Sequence, residues 1–457
     1  RPFSDAADGT LLGEGMAMFA VRRLEDAERD GDPIYAVLRG VGTSSDGRAK
    51  SVYAPVPEGQ ARALRRAYER AGYGPETVEL VEAHGTGTKA GDAAEFAGLR
   101  MVFDEAGRED RQWCALGSVK SQIGHTKAAA GSAGLFKAVM ALHQKALPPT
   151  AKVDRPNPAL EIEQTAFYLN TEARPWVRGG DHPRRAGVSS FGFGGSNFHL
   201  AVEEYTGEHR APKRRAWSAE LLRVAADSPS ALAEAAEAMA ERVVARGGFA
   251  WEAYRSATEA PVGSARLAVV AADGHAAAGS LRDAAQRIRS APDAAFELPN
   301  GVVYASGADA GRVAWLYPGQ GSQYVGMGGA VARTLSQALA VWDLARDLDL
   351  GLDTPLDRLV FPPPAFDDEG RTAQQAALTA TEHTQPALGA VSAGLTAVLK
   401  ALAMAPDAVA GHSFGEIAAL HAAGSLDEAG LLTVAAARGR AMAEAAQSPG
   451  AMTAVRA

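Results

Sequence analysis

The sequence predicts an α/β protein, and three observations carry that prediction. Residues 1–205 alternate short apolar runs with stretches of helical spacing, the pattern of a layered α/β fold. Two predicted strands, Val78–Ala83 and Ala115–Val119, run on into histidines beside glycine, His84 and His125. Far along the chain, Gly411-His-Ser-Phe-Gly-Glu416 sets a serine between two glycines where a strand-like run meets a helical one.

The bulk properties bound the answer. A chain of 457 residues has ample core and should form two or three domains. A hydrophobic share of 47% with 22% charged residues is that of a soluble globular protein. No apolar run approaches a membrane span and no signal peptide opens the chain. The net charge of −8 argues against nucleic acid as a main partner. The single cysteine, Cys114, excludes an internal disulfide framework and fits a reducing cytoplasm. Arg1 is not an initiator, so the expectation is a piece of a longer polypeptide.

Taken in order, Tyr35–Val41 reads as a strand. Gly59–Ala71 has helical spacing (Ala63, Leu64, Ala67, Tyr68) and closes on Gly72. Val78–Ala83 is a strand that delivers His84-Gly-Thr-Gly-Thr88. Asp92 with Glu95 suits an N-cap pair for a helix reaching about Ala106. Ala115–Val119 is a strand followed by Lys120-Ser-Gln-Ile-Gly-His125, then an alanine-rich helix over Thr126–Lys145. The glycines of Ser189–Asn197 suit close backbone approach to a ligand. Cys114, in or beside a strand, reads as a buried and inert thiol. The two histidines are either structural imidazoles or a chemical pair. Metal ligation is a further alternative, but no helical histidine pair or cysteine cluster completes a site.

Residues 206–312 carry no site-like constellation. Glu208–Arg215 reads as a solvated connection, Ser230–Ala245 and Ser280–Ile288 as helices, and Leu267–Ala271 as a strand. Beyond Val313 come the loop Tyr317-Pro-Gly-Gln-Gly-Ser-Gln323 and an expected exposed loop, Asp353–Gln375. A helix periodic in Leu388, Val391, Leu395, Val398, Leu399 and Leu402 is stopped by Pro406. Asp407–Ala410 then reads as a buried strand, and Glu416–Ala423 as a helix ending at Gly424. At such a turn the hydroxyl of Ser413 projects at a helix N-terminus, where free amides can hold a developing oxyanion. A helix-capping serine is the alternative reading of the five-residue pattern. Ser425 and Glu428 form a predicted capping box for the helix that carries Arg438, 25 positions after Ser413.

Four words occur in order: Asp5-Ala-Ala-Asp-Gly-Thr10 with Gly13-Glu-Gly15, Glu82-Ala-His-Gly-Thr-Gly-Thr88, Gly117-Ser-Val-Lys-Ser-Gln-Ile-Gly-His125 and Phe191-Gly-Phe-Gly-Gly-Ser-Asn197. Residues 1–205 thereby resemble the β-ketoacyl synthase family, of thiolase-type fold. The resemblance implies a decarboxylative Claisen condensation in which His84 and His125 polarise a malonyl thioester carbonyl. It makes Lys120 their organiser, and gives Phe193 an oxyanion-hole amide and a ring gating the acyl channel. The family's nucleophilic cysteine falls before residue 1, and Cys114 cannot replace it.

Ser413, the Gln320 loop and Arg438 resemble the malonyl-CoA:acyl-carrier-protein acyltransferases, whose core is α/β-hydrolase-like. The resemblance makes Ser413 the acylated nucleophile and gives oxyanion amides to Gln320 and Phe414. It sets Arg438 against the malonyl carboxylate, a task that suits a planar bidentate cation. A bulky apolar residue at Phe414 is typical of malonyl-selective relatives. The family's histidine base falls beyond Ala457.

The implied layout is a ketosynthase C-terminal part over 1–205, a small α/β linker domain over 206–312 and an acyltransferase N-terminal part over 313–457. This order resembles a type I polyketide synthase, a multifunctional cytoplasmic transferase of antibiotic biosynthesis. Ser51-Val-Tyr-Ala-Pro55, Phe167-Tyr-Leu-Asn170, Thr381-Glu-His-Thr-Gln-Pro386 and Phe414 look like the iterative branch that makes enediyne cores and polyunsaturated fatty acids. The resemblance implies malonyl-CoA and carrier-bound phosphopantetheine as substrates, with no cofactor bound directly and no metal. It implies an acyl carrier protein partner and a homodimer. The alternatives are a modular synthase, a segment with only a docking or dimerisation role, and an α/β serine hydrolase. Gln320 and Arg438 in register argue against the last.

Overall fold

The computed structural model describes residues 1–48, 54–213, 217–259, 261–307 and 311–446. Ser51–Tyr53 of the Ser51–Pro55 word, and Arg214 and Arg215 of the expected solvated connection, lie outside the described residues. The chain forms two compact units, Arg1–Lys213 with Val313–Ala457, and Arg214–Arg312.

The first unit opens with α1 (Leu24–Asp30), β1 (Val37–Ser45) and α2 (Pro57–Ala71). Gly40 and Gly42 let α2 lie directly on β1, since a Cβ at either would strike the Ala67 or Ala63 carbonyl. Next come β2 (Leu80–Glu82), α3 (Lys89–Phe103), β3 (Cys114–Gly117), α4 (Lys120–Ile123), α5 (Ala130–Gln144), β4 (Ala146–Leu147), β5 (Phe167–Leu169), β6 (Arg174–Pro175), β7 (Arg185–Gly192) and β8 (Ser196–Glu203). Six strands form one sheet in the order β1-β8-β7-β2-β3-β5. Pairing is antiparallel through β1, β8 and β7, then parallel from β7 through β2 and β3 to β5. The parallel set puts the C-terminal ends of β7, β2 and β3 at one edge, where open α/β sheets bind ligands. The short central strands are buried on both faces, with Leu80, Val81, Cys114, Ala115 and Leu116 all inaccessible.

The second unit holds β9 (Glu220–Ala226), α6 (Pro229–Val243), α7 (Gly248–Thr258), β10 (Ala265–Ala271), α8 (Gly274–Ser290), β11 (Phe296–Leu298) and β12 (Val302–Ser306). Its antiparallel sheet runs β11-β12-β10-β9, and alternate residues such as Leu222, Leu267, Val269 and Tyr304 bury against Leu232, Met239, Leu281 and Ile288 of the helices.

The first unit resumes with β13 (Ala314–Tyr317), α9 (Gly329–Thr334), α10 (Ser336–Asp347), α11 (Leu356–Val360), α12 (Asp368–Thr379), α13 (Thr381–Ala401), β14 (Ala408–Gly411), α14 (Gly415–Ala422) and α15 (Glu428–Ala445). Strands β13 and β14 pair in parallel, Trp315 opposite Val409. Trp342, Phe361, Leu388, Phe414 and Leu431 share one core.

Four expectations are corrected. Asp92 and Glu95 do not cap α3: Thr88 does, its hydroxyl accepting from the Gly91 amide (3.2 Å), while both carboxylates point into buried contacts. The expected loop at 353–375 contains α11 and the start of α12. Its Leu356, Leu359, Val360 and Phe361 are buried, Phe361 against Trp342 (ring centroids 4.7 Å). Asp427, not Ser425, caps α15, accepting from Gly430 (2.7 Å). Strand β14 alternates exposed and half-buried residues instead of being buried, since it pairs with β13 in a two-stranded sheet.

Arg184 joins the two chain segments of the first unit. It is 2% exposed and uses every nitrogen of its guanidinium. Nε donates to the Trp176 carbonyl (2.6 Å), Nη1 to Glu204 (2.8 Å) and Nη2 to both oxygens of Asp343 on α10 (2.6 and 2.7 Å). The Arg178 amide also donates to Asp343 (2.9 Å). A buried ion pair gains little over a well-packed apolar substitute, but removing one partner strands the others. Arg184→Ala should therefore destabilise the first unit by about 3–5 kcal/mol, read from denaturant midpoints of this chain. A loss well under 1 kcal/mol would mean that water replaces the guanidinium and that the clamp is not desolvated.

Candidate active site

His84 leaves β2 two residues after Glu82, and His125 follows α4 after β3. Because Glu82 pairs with Gly117 and with Val188, the loops after β2, β3 and β7 emerge side by side. The His84 and His125 rings meet edge to face with centroids 5.3 Å apart, and the Phe191 ring lies 6.0 Å from His84.

The His84 loop hangs on two carboxylates from α3. Glu95 accepts the amides of His84 and Gly85 (2.7 Å each), one on each oxygen. Asp92 accepts the amides of Gly87 (3.0 Å) and Phe3 (2.8 Å). Gly85 and Gly87 have positive φ (44° and 77°), which lets the loop turn its amides inward. From the β3 side, Ser118 Oγ donates to the Gly85 carbonyl (3.2 Å). Glu82 accepts the Val119 amide (2.6 Å) and pairs with Lys137 of α5 (2.9 Å). His125 is fixed through its backbone, its amide donating to the Leu11 carbonyl (2.7 Å). Its Nδ1 accepts the Lys127 amide (3.0 Å), which leaves the ring proton of the neutral form on Nε2.

These imidazoles are held neutral. Burial first, then Lys120 and His125, push His84 down to about 3, and among the described residues the buried Nδ1 of His84 has no hydrogen-bond partner. Burial lowers His125 as well, helped by Lys120 and Lys127. Lys120 is buried and lowered by desolvation, against the pull of Glu82 and Glu95. Burial raises Glu95 and Asp92, opposed by the amides each accepts. A cavity of about 320 Å³ opens beside Lys120, lined also by Thr86, Ser121 and Lys152. Phe193, at the β7–β8 turn, is 79% exposed. Cys114 is wholly buried in β3, and burial pushes its thiol far up.

The second centre is the turn from β14 into α14. Ser413 holds φ 55°, a left-handed backbone uncommon outside glycine. Its neighbours allow the turn. A Cβ on Gly411 would strike the backbone of Gly415, and one on Gly415 the Tyr317 carbonyl. Gly319 lies on this turn, its Cβ position 3.3 Å from Ser413 Cβ, so the loop bearing Gln320 touches the elbow. The Phe414 ring does not line an opening. It is 0% exposed, with its tip beside Gly389 of α13.

Arg438 on α15 is half buried. Nη1 donates to Gln385 Oε1 (2.7 Å), and Gln385 Nε2 reaches Gln320 Oε1 at 3.5 Å. Gly439 allows this closeness, a Cβ there lying 2.9 Å from Glu382 Cα. Among the described residues no carboxylate pairs with Arg438. The fully buried Gln385, which links Gln320 to Arg438, was not singled out as a site residue from sequence. Its position on the apolar-periodic helix masks it.

Among the described residues no cluster of histidine, cysteine, aspartate or glutamate is arranged to hold a metal ion, and no helix is long and apolar enough to cross a membrane.

The chain is similar to known proteins along most of its length. Residues 35–154 match the beta-ketoacyl synthase C-terminal domain, 156–284 the ketoacyl-synthetase C-terminal extension and 314–457 the acyl transferase domain. A polyunsaturated fatty acid synthase polypeptide of Thraustochytrium sp. is 40% identical over 97% of this chain and 17% of that protein. Polyketide synthase GfsA of Streptomyces halstedii is 38% identical over all of this chain and 6% of its own length. Erythronolide synthase EryA3 of Saccharopolyspora erythraea is 38% identical over 93% of this chain and 13% of its own length. The ketosynthase from module 6 of the bacillaene synthase from Bacillus subtilis 168 aligns with 67% of this chain and 52% of that one, at 36% identity and a TM-score of 0.44. The chain thus spans less than a fifth of the synthases named above. With a mixed α/β fold, the chain carries a ketosynthase C-terminal domain and an acyl transferase domain on one polypeptide, and over nearly all its length it is similar to type I polyketide synthases.

Proposed function

We propose that this segment serves an iterative type I synthase in two linked reactions: malonyl transfer from CoA to a carrier, and decarboxylative condensation of acyl thioesters. The meeting of His84 and His125 at the C-terminal ends of the parallel strands of one mixed sheet carries the reading. The domains would be ketosynthase over 1–205, linker over 206–312 and acyltransferase over 313–457.

In condensation, the malonyl thioester carbonyl would accept hydrogen bonds from the two imidazoles while its carboxylate leaves as CO₂. The electron pair of the broken C–C bond forms an enolate, whose carbon attacks an acyl thioester and expels the thiolate. His125 suits donation, since the Lys127 amide fixes its proton on Nε2. His84 stays neutral, so neither ring pins the malonyl carboxylate as a fixed cation. Lys120, beside the cavity, supplies charge near both rings. The Phe193 amide would hold the developing oxyanion.

In malonyl transfer, Ser413 would attack the thioester and release CoA thiol, with amides of Gln320 and Phe414 at the oxyanion. The Phe414 ring backs the elbow from the core. Arg438, held by a neutral amide and unpaired with any described carboxylate, keeps its charge for the malonyl carboxylate. An acyl carrier protein presenting phosphopantetheine thioesters, a homodimer and a cytoplasmic setting complete the proposal.

The likeness to a polyunsaturated fatty acid synthase, with Phe167–Asn170 and Thr381–Pro386, supports an iterative synthase of that or the enediyne kind. Likeness to EryA3 and GfsA supports a module of a polyketide assembly line as the second reading. Single-turnover product analysis of a full-length synthase carrying the segment separates them. Several extensions by one active-site set mean iteration, and one means a module.

In that synthase Ser413→Ala should abolish malonyl labelling and leave the fold intact, since the exposed turn serine contributes little packing. Labelling that persists would remove Ser413 from its role. Arg438→Ala should cost malonyl transfer about 2–4 kcal/mol in kcat/KM while acetyl-CoA loses little. Equal falls with both substrates would make Arg438 a support of the fold.

The His84 imidazole takes a proton in the unfolded chain near pH 6.5 but resists it in the fold until about 3. Its contribution to stability is therefore present above 6.5 and lost as pH falls through that window, by up to about 1.4 kcal/mol per unit. The raised carboxyls of Asp92 and Glu95 act in the opposite sense, so the comparison must be against His84→Asn. On acidification from pH 7 to 5 the wild type should lose denaturation midpoint relative to that variant. Parallel midpoints would show that the ring is solvated.

A further inference from the structure

A fully buried histidine lies outside the chemistry proposed above. His199, in β8, is 0% exposed and stands directly opposite Ser189 of β7. Its Nδ1 is 3.0 Å from Ser189 Oγ and its Nε2 3.1 Å from the Tyr68 hydroxyl on α2. Ser189 and Tyr68 are themselves buried. The three form a closed chain across two strands and the helix that covers them. Gly187 makes room for it, since a Cβ there would come within 2.9 Å of both the ring and the tyrosine oxygen.

An apolar side chain would fill this place without desolvating an imidazole, so the chain needs another reason. Buried polar groups are best attested as devices that select one register. This hairpin needs one. Its turn holds Gly192, Gly194 and Gly195, the last two at φ 83° and 75°, and glycine-rich strands specify pairing weakly. A slip of one residue would turn Phe191, two positions beyond Ser189 on the same face, away from His84. In any other register Ser189 and His199 separate, and both are left buried without partners.

We propose that His199, through Ser189 and Tyr68, is a positioning residue that locks the β7–β8 register and so sets the Phe191–Phe193 turn against the histidine pair. This rests on the ketosynthase reading of His84 and His125.

The test uses a full-length synthase carrying the segment, assayed separately for condensation and for malonyl transfer at Ser413. His199→Leu should lower condensation kcat by up to about 10²-fold, the effect of a misplaced reacting group, with KM and malonyl transfer unchanged. His199→Gln, which can still give and take a hydrogen bond, should restore much of the rate. Tyr68→Phe keeps the ring and removes the hydroxyl. It should reproduce the kcat defect more mildly, and it decides the matter if His199→Leu does not fold. Wild-type kcat in both His199→Leu and Tyr68→Phe, or a malonyl-transfer rate that falls in step with condensation, would overturn the lock. A wild-type synthase that transfers malonyl but never condenses would instead refute the ketosynthase reading.

Discussion

The arrangement of the first centre depends on carboxylates buried beneath its loops. Glu82, Asp92 and Glu95 accept five backbone amides between them, those of Val119, Phe3, Gly87, His84 and Gly85. Each amide would otherwise be a donor turned away from water, at a cost of about 1–3 kcal/mol. Buried carboxylates are themselves costly, and Lys120 and Lys137 offset part of that cost. The His84 loop has no regular secondary structure, so its shape comes from these bonds and from two left-handed glycines. Strand pairing brings the loops to one edge, and the carboxylates decide where the rings sit along it.

The elbow solves a similar problem by steric means. Ser413 carries backbone strain of roughly 1 kcal/mol or more. Gly411, Gly415 and Gly319 let three backbones approach more closely than any Cβ would allow. The fully buried Phe414 anchors the turn from below. Here the core holds the strained serine in place, whereas at the histidines the hydrogen bonds do. Mutations should therefore fail differently at the two centres: through lost polar partners around His84, and through overpacking or cavities around Ser413.

Much of this was legible in the sequence because strands and glycine turns leave local marks. The strands before His84 and His125, the helix after Ser413 and its Gly424 end all stand close to where the residue pattern put them. The misreadings share one cause. Asp92 and Glu95 look like a cap because acidic residues three apart near a helix start usually serve the helix itself. Their real partners, His84, Gly85, Gly87 and Phe3, are fixed only by the tertiary fold. Likewise Phe361 sits in a proline-rich run that reads as loop, yet it packs on Trp342, 19 positions earlier. Gln385 could not be picked out locally, because its meaning comes from Arg438, 53 positions later.

The two centres also treat charge in opposite ways, and this fits what each is proposed to hold. Around His84 and His125 the imidazoles are kept uncharged by burial and by Lys120. In the proposed condensation a substrate that sheds its carboxylate would be best met by neutral imidazole donors, since a ring held as a fixed cation would stabilise the ground state. Arg438 is the reverse case. Its hydrogen bond goes to the neutral amide of Gln385, which orients the guanidinium without spending its charge. In the proposed malonyl transfer the carboxylate would survive, so binding it uniformly through substrate and product is what selection would require. One carboxylate would thus be retained by a cation at the elbow and released among neutral rings at the sheet edge.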